Sequence, residues 1–290
     1  MMENFISVAE LGSSKVFEKT RRELDHKFRF KCSDYTQDFT AGAFVTLYQI
    51  TRKFFEKHFP ELVADYVPIY ISMWKLSLRE LLGVRNMHQD GGINYFAKNG
   101  YAARMKTLWT NLYKDSVETF DESEMGIYTV DSERADHQGL YETMAQYNTH
   151  FYQFDDRKLC DMRQLGEIAI EYDLNSLKRD YYPFKEGTTI QFNSRLLHGS
   201  KSVDQDKEMF SEEDLSRFRV ALTSVWLHRD DLDEDVVTMD AEEDEELFLS
   251  ACDKSEWPRI KQEHKAICDR ERLRLRLIRD LVSAHRDYAQ

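Results

Sequence analysis

The chain reads as a mixed α and β protein, and three observations carry that reading. Apolar residues recur at helical spacing through much of the first 66 residues. Strand-like runs rich in β-branched and aromatic residues, punctuated by glycine and by charged turns, fill residues 67–228. A strongly acidic stretch, Asp230 to Glu246, then precedes a basic amphipathic run from Arg259 to Tyr288. The expected organisation is one integrated domain in three segments: an N-terminal helical segment at 1–66, a β-rich core at 67–228, and an acidic linker with a C-terminal helix at 229–290.

Residues 1 to about 66 read as helical. Ser13 or Ser14 is placed to cap a helix through Lys15 to Leu24, because a hydroxyl there accepts from the free N–H groups of the first turn. Phe44, Leu47, Phe54 and Phe55 mark a second helix over Ala41 to Phe59, which Pro60 ends or passes on to a new turn. Pro68 to Leu76 has strand composition, although Leu76 to Leu82 suits a helix equally. Leu108 to Tyr113 is a strand with two unlike faces: Leu108, Thr110 and Leu112 on one, and Trp109, Asn111 and Tyr113 on the other. The second face is a candidate pocket wall. Further strands are expected at Gly126 to Ser132, Phe151 to Phe154 and Ile168 to Tyr172. Gly187 then introduces a strand that ends on His198, with Phe192, Ser194, Leu196 and His198 on one side. A polar insertion, Asp204 to Asp214, separates it from the apolar run Val220 to Trp226. In the tail, Ile260, Ile267, Leu275, Ile278 and Val282 are set among Lys and Arg, and packing on the body or on a second subunit is the preferred use of that helix.

Composition bounds the function. The chain has 290 residues, 41% of them hydrophobic and 13% aromatic, enough for a sizeable folded core. A net charge of −13 disfavours a nucleic-acid partner, whose phosphates call for a basic surface. Cys32, Cys160, Cys252 and Cys268 show no Cys-x-x-Cys spacing, and the first residues lack the basic-then-apolar pattern of a signal peptide. Reduced thiols in a cytoplasmic protein are expected. No apolar run approaches membrane-span length, so no membrane partner is expected.

The chemistry is carried by Arg85-Asn86-Met87-His88-Gln89-Asp90-Gly91-Gly92. On a strand, residues i and i+2 share a face, so His88 and Asp90 offer an imidazole and a carboxylate to one point. Asn94 keeps the same parity and either faces the pocket or stabilises the turn. Far downstream, His198 supplies a second imidazole. Two His and one carboxylate form a facial triad that leaves metal positions open. His137 is a rival ligand, but Arg134-Ala135-Asp136-His137 reads as an exposed loop.

The order His-x-Asp, about a hundred residues, His, then Arg opening a hydrophobic strand resembles the Fe(II)/2-oxoglutarate-dependent dioxygenases over roughly residues 70 to 228. His88-Gln89-Asp90 is most similar to the phytanoyl-CoA dioxygenase-like branch, while the long gap from His198 to Arg219 departs from it. The resemblance implies a double-stranded β-helix (a cupin-type jelly roll) flanked by the N-terminal and C-terminal helices. It implies Fe(II) held by His88, Asp90 and His198, with O2 and 2-oxoglutarate as cosubstrates and ascorbate helpful in vitro. An Arg at the start of a late strand would bind the far carboxylate of 2-oxoglutarate, because a guanidinium stays charged when buried and forks onto both oxygens. Arg219 suits this role, since the apolar run follows it directly; Arg217 has the same parity and stays open. Asn111 and Asn94 are the further candidates for contact with the cosubstrate. The activity implied is hydroxylation, desaturation or cyclisation of a small molecule, with release of succinate and CO2. Rival readings are a metal-dependent cupin hydrolase or isomerase, and a non-catalytic barrel acting as an interaction module. A homo-oligomer formed through the C-terminal helix is a further expectation.

Overall fold

The computed structural model describes residues 6–29, 41–81, 104–115, 127–130, 151–153, 158–161, 171–173, 179–194, 198–200, 210–232, 276–277 and 280. Its largest element is a five-stranded antiparallel sheet in the order β1-β9-β3-β11-β2, built from β1 (Ile6–Glu10), β2 (Tyr66–Ser77), β3 (Met105–Lys114), β9 (Thr188–Asn193) and β11 (Phe218–His228). A second antiparallel sheet joins β10 (His198–Ser200), β4 (Ile127–Val130) and β8 (Arg179–Tyr182) in that order. A third joins β5 (Phe151–Gln153), β6 (Lys158–Asp161) and β7 (Glu171–Asp173).

The helices form where local chemistry asks for them. Ser14 caps α1 (Lys15–Phe28), its hydroxyl accepting from the Val16 N–H, and Arg29 closes that helix in the left-handed region at φ 47°. After α2 (Ala41–His58), Pro60 sits in the first turn of α3 (Pro60–Asp65), where its missing N–H costs nothing. A short α4 (Leu78–Leu81) follows β2 directly.

These helices cover one face of the five-stranded sheet. Phe17 and Leu24 of α1, with Leu47, Phe54 and Phe55 of α2, are buried in one cluster with Val67, Ile69, Ile71 and Met73 of β2 and with Val220 and Leu222 of β11. Trp226 meets Phe55 edge to face at 5.6 Å, a geometry that adds about 0.5–1.5 kcal/mol beyond burial. The opposite face carries a smaller cluster containing Trp109, Phe184, Ile190, Phe192 and Ala221. Alternation orders most of β2, with Tyr66 and Tyr70 also packing at the edge of the helix-side cluster. On β2 the odd residues Val67 to Met73 meet the helices, while Trp74 and Leu76 lie with the smaller cluster.

Two expectations need correcting. Residues 1–66 are not helical throughout, because β1 pairs along β9 from Ile6↔Phe192 to Glu10↔Thr188. The strand ending on His198 is not continuous either: β9 stops at Asn193, and His198 opens β10 in a different sheet, paired with Thr129. The body also continues past residue 228. Arg229 donates to the carbonyls of Ala64 and Val63, and Leu232 belongs to the helix-side cluster. From the tail, Leu277 is half-buried against that same cluster.

Candidate active site

The inward face of the five-stranded sheet, opposite the helices, concentrates the polar groups of interest. Arg219 lies at the start of β11 and is 1% exposed. Its guanidinium carbon stands 5.3 Å from the centres of both the Trp109 and Phe184 rings. A desolvated cation gains most from an aromatic face, on the order of 2 kcal/mol. The two rings thus hold a charge in the interior and fix where it sits.

The strand start carrying Arg219 is itself fastened. Asp115 accepts from the Phe218 N–H through one carboxylate oxygen and from the Tyr113 hydroxyl at 2.6 Å through the other. That bond to the Asp115 carboxylate, ahead of burial, pushes the Tyr113 phenol up to about 12. Arg217 lies elsewhere: it caps the C-terminus of α5 (Glu212–Ser216), is one-third exposed, and forms an ion pair with Glu213 at 2.9 Å. The two arginines share parity by number only, since the strand begins between them.

Asn111 is 1% exposed and takes the indole N–H of Trp109 on its amide oxygen at 2.8 Å. In the β3–β11 ladder Asn111 faces Ala221 and Trp109 faces Thr223, so these four share the inward side with Arg219. Thr223 and Thr188 bury hydroxyls that have no hydrogen-bond partner among the described residues. Toward the other sheet, Thr107 donates to Ser194 at 2.9 Å, and the buried His198 ring stacks at a tilt on Phe192, centroids 4.7 Å apart. Arg219 and His198 therefore border one aromatic-lined interior, Arg219 through Trp109 and Phe184, His198 through Phe192.

The sequence-derived sites are placed unevenly. His198, Arg219, Arg217 and Asn111 are positioned as above; His88, Asp90, Asn94 and His137 lie outside the described residues. Among the described residues no three His, Cys, Asp or Glu side chains gather as a metal site, and one of the three expected ligands, His198, is among those described. An imidazole at a strand end is a donor that iron accepts, and the interior beside His198 is lined by aromatic rings and hydroxyls. Phe184 and Thr223 were missed by sequence reasoning. Thr223 had a signal, its parity with Arg219; Phe184, behind Pro183, had none.

No family model matches this chain, and no curated protein matches it in sequence. Solved structures overlap it weakly. HygX from Streptomyces hygroscopicus, with nickel and 2-oxoglutarate bound, is 9% identical with a TM-score of 0.41 over 78% of this chain and 83% of its own. The non-haem α-ketoglutarate-dependent epimerase SnoN of nogalamycin biosynthesis is 11% identical with a TM-score of 0.38, covering 78% of each chain. EctD from S. alaskensis, in its apo form, is 11% identical with a TM-score of 0.39 over 80% of this chain and 76% of its own. These neighbours do not single out the phytanoyl-CoA branch. At such scores the likeness decides neither fold nor activity, which must rest on the residues.

Proposed function

We propose that this protein is an Fe(II)- and 2-oxoglutarate-dependent oxygenase of a small molecule, its sheets forming a double-stranded β-helix around the inward face described above. The observation that supports it most is Arg219, a permanent cation 1% exposed and held between Trp109 and Phe184 in the interior that His198 also borders. A guanidinium in that position suits a dicarboxylate whose other end reaches a metal beside His198.

His198, His88 and Asp90 would hold the iron, which with O2 supplies the oxidising chemistry that turns 2-oxoglutarate into succinate and CO2 and attacks a substrate C–H bond. The chain's own residues do the placing. Arg219 forks onto the far carboxylate and fixes the length of cosubstrate between itself and the metal end. Trp109, Phe184, Ile190 and Phe192 keep water from that interior, where each polar contact gains strength. Thr188 and Thr223 offer buried hydroxyls to a bound oxygen atom. Hydroxylation is the default outcome, and desaturation or ring closure uses the same residues.

The test is a succinate-release screen of the Fe(II)-loaded protein with 2-oxoglutarate, ascorbate and a panel of amino-acid derivatives and secondary metabolites. Substrate-stimulated succinate is expected. A protein that neither binds nor consumes 2-oxoglutarate with any member of the panel is not this enzyme.

A further inference from the structure

We propose that the outward stripe of α1 is the docking surface for an acidic segment of this same chain, residues 233–246. Helix α1 buries Phe17, Thr20, Leu24 and Phe28 on one side. On the opposite side Lys15, Lys19, Arg22, His26 and the C-cap residue Arg29 recur at i, i+4, i+7, i+11 and i+14, and all are exposed. That spacing stacks them in one line along the helix. Beside the line, Glu18 takes Arg21 at 3.1 Å and Arg22 at 3.6 Å. Among the described residues, Lys15, Lys19 and Arg29 enter no ion pair. Lys53 and Lys57 of α2 are exposed at the same end of the helical layer as Lys15, since Ser14 meets His58 at 3.4 Å and Phe17 meets Phe54 at 6.4 Å. A helix face left to solvent usually mixes its charges. This one has a single sign, on a chain whose net charge is −13.

The matching charge is in the same chain. Residues 233–246 carry nine carboxylates and no Lys, Arg or His. The chain reaches them from the helix side of the sheet. Arg229 donates to the carbonyls of Val63 and Ala64, and Leu232 is buried in the cluster that also holds Phe17, Leu24 and Phe28. An extended segment of that length spans up to about 46–50 Å, roughly twice the ~21 Å of α1. A tethered segment meets the stripe at high effective concentration, whereas an outside polyanion is repelled by the net charge of the chain. Each exposed ion pair is weak, but several along one line act together.

The experiment is zero-length carbodiimide cross-linking of the full chain, which joins a lysine amine to a carboxylate only where the two are in contact. An equal mixture of unlabelled and heavy-nitrogen-labelled protein separates links within one chain from links between copies. Lys15 or Lys19 should be joined to carboxylates of 233–246 within one chain. The yield should fall about fivefold between ~0.1 M and ~1 M salt, as the Debye length shrinks from about 10 Å to about 3 Å. The double variant Arg22→Glu, His26→Glu reverses the middle of the stripe but keeps both reporter lysines. Its yield at low salt should fall as far, while its urea midpoint stays close to that of wild type, because both positions are exposed. The inference is overturned by a yield that the double variant does not move, or by the absence of any link between α1 and the segment. It is equally overturned by α1 links found only between differently labelled chains, or by segment links confined to Lys254, Lys261 or Lys265 of the tail. The readout needs neither iron nor 2-oxoglutarate, so its outcome is independent of the oxygenase reading.

Discussion

Replacing Arg219 with leucine tests how the interior is used. The side chain is 1% exposed and its guanidinium lies 5.3 Å from two ring centres, so a ligand carboxylate meeting it would be desolvated on arrival. Truncating one member of a buried hydrogen-bonded charge pair costs about 2–5 kcal/mol of binding. At about 1.4 kcal/mol per factor of ten, that is a rise in the 2-oxoglutarate Kd of roughly 30- to 4000-fold. Leucine forfeits the two cation–π contacts and every other bond the guanidinium makes, so unfolding is followed separately from binding. The assay is anaerobic calorimetry of 2-oxoglutarate into Fe(II)-loaded protein, with iron stoichiometry and urea unfolding as controls. Arg217→Leu is the internal comparison: it breaks an exposed pair with Glu213 on one turn of helix, worth about 0.3–0.5 kcal/mol, and should leave the Kd alone. A folded Arg219→Leu protein that binds 2-oxoglutarate within threefold of wild type would refute the reasoning. So would a large effect at Arg217.

Three further outcomes are expected. His198→Ala should lose stoichiometric Fe(II) while still unfolding cooperatively, with about 0.5–3 kcal/mol of stability lost with its packing on Phe192; undiminished iron binding would move the ligand role to another residue, His137 first. Gly187→Ala should destabilise by about 1–3 kcal/mol in urea melts, because Gly187 holds φ +75° and a Cβ there would collide with the Gly12 backbone; an unchanged midpoint would mean that the turn before β9 is laxer than described. Asp231→Ala should cost about 1–3 kcal/mol at pH 7 by removing the carboxylate that accepts from the Arg104 backbone N–H and guanidinium. Hydrogen bonds from Arg104 hold the Asp231 carboxyl below its usual 3.8, so its stabilisation is present above that pH and fades as pH falls through the lower folded value; equal deficits at pH 7 and pH 3 would show that the ionised form does not matter.

Where local chemistry sets an element, the sequence declares it. The Ser14 cap, Pro60 in the first turn of α3 and the Gly187 turn before β9 are each one residue acting on its own backbone. β1 escaped because nothing local makes it a strand. It is an edge strand with Val8 half exposed, held by β9 almost 180 residues away, and it buries too little to leave a period-2 signature. The break before His198 escaped for another reason. Parity records the side on which a residue lies, and it survives when the chain passes from one sheet to the next; Phe192 and His198 still touch although β9 and β10 belong to different sheets.

The candidate site shows the same division between face and placement. Alternation separated Trp109, Asn111 and Tyr113 from Leu108 and Leu112; the structure puts the two leucines on the helix side and the indole inward, but a register shift between Val220 and Ala221 sets Tyr113 against the helix-side cluster. Alternation could not separate Arg219 from Arg217, because parity presupposes one continuous strand. The deciding feature is a cap. Ser211 accepts from the Asp214 N–H and starts a helix that runs to Ser216, which leaves Arg217 at its C-terminus beside Glu213 and lets β11 begin one residue later. From there Arg219 is the first inward residue, and burial follows from position. Its retention as a cation follows from chemistry: a lysine at that position could shed its proton on burial, whereas a guanidinium between two rings keeps its charge and its fork. One strand start thus sets a lasting cation between two rings in the interior.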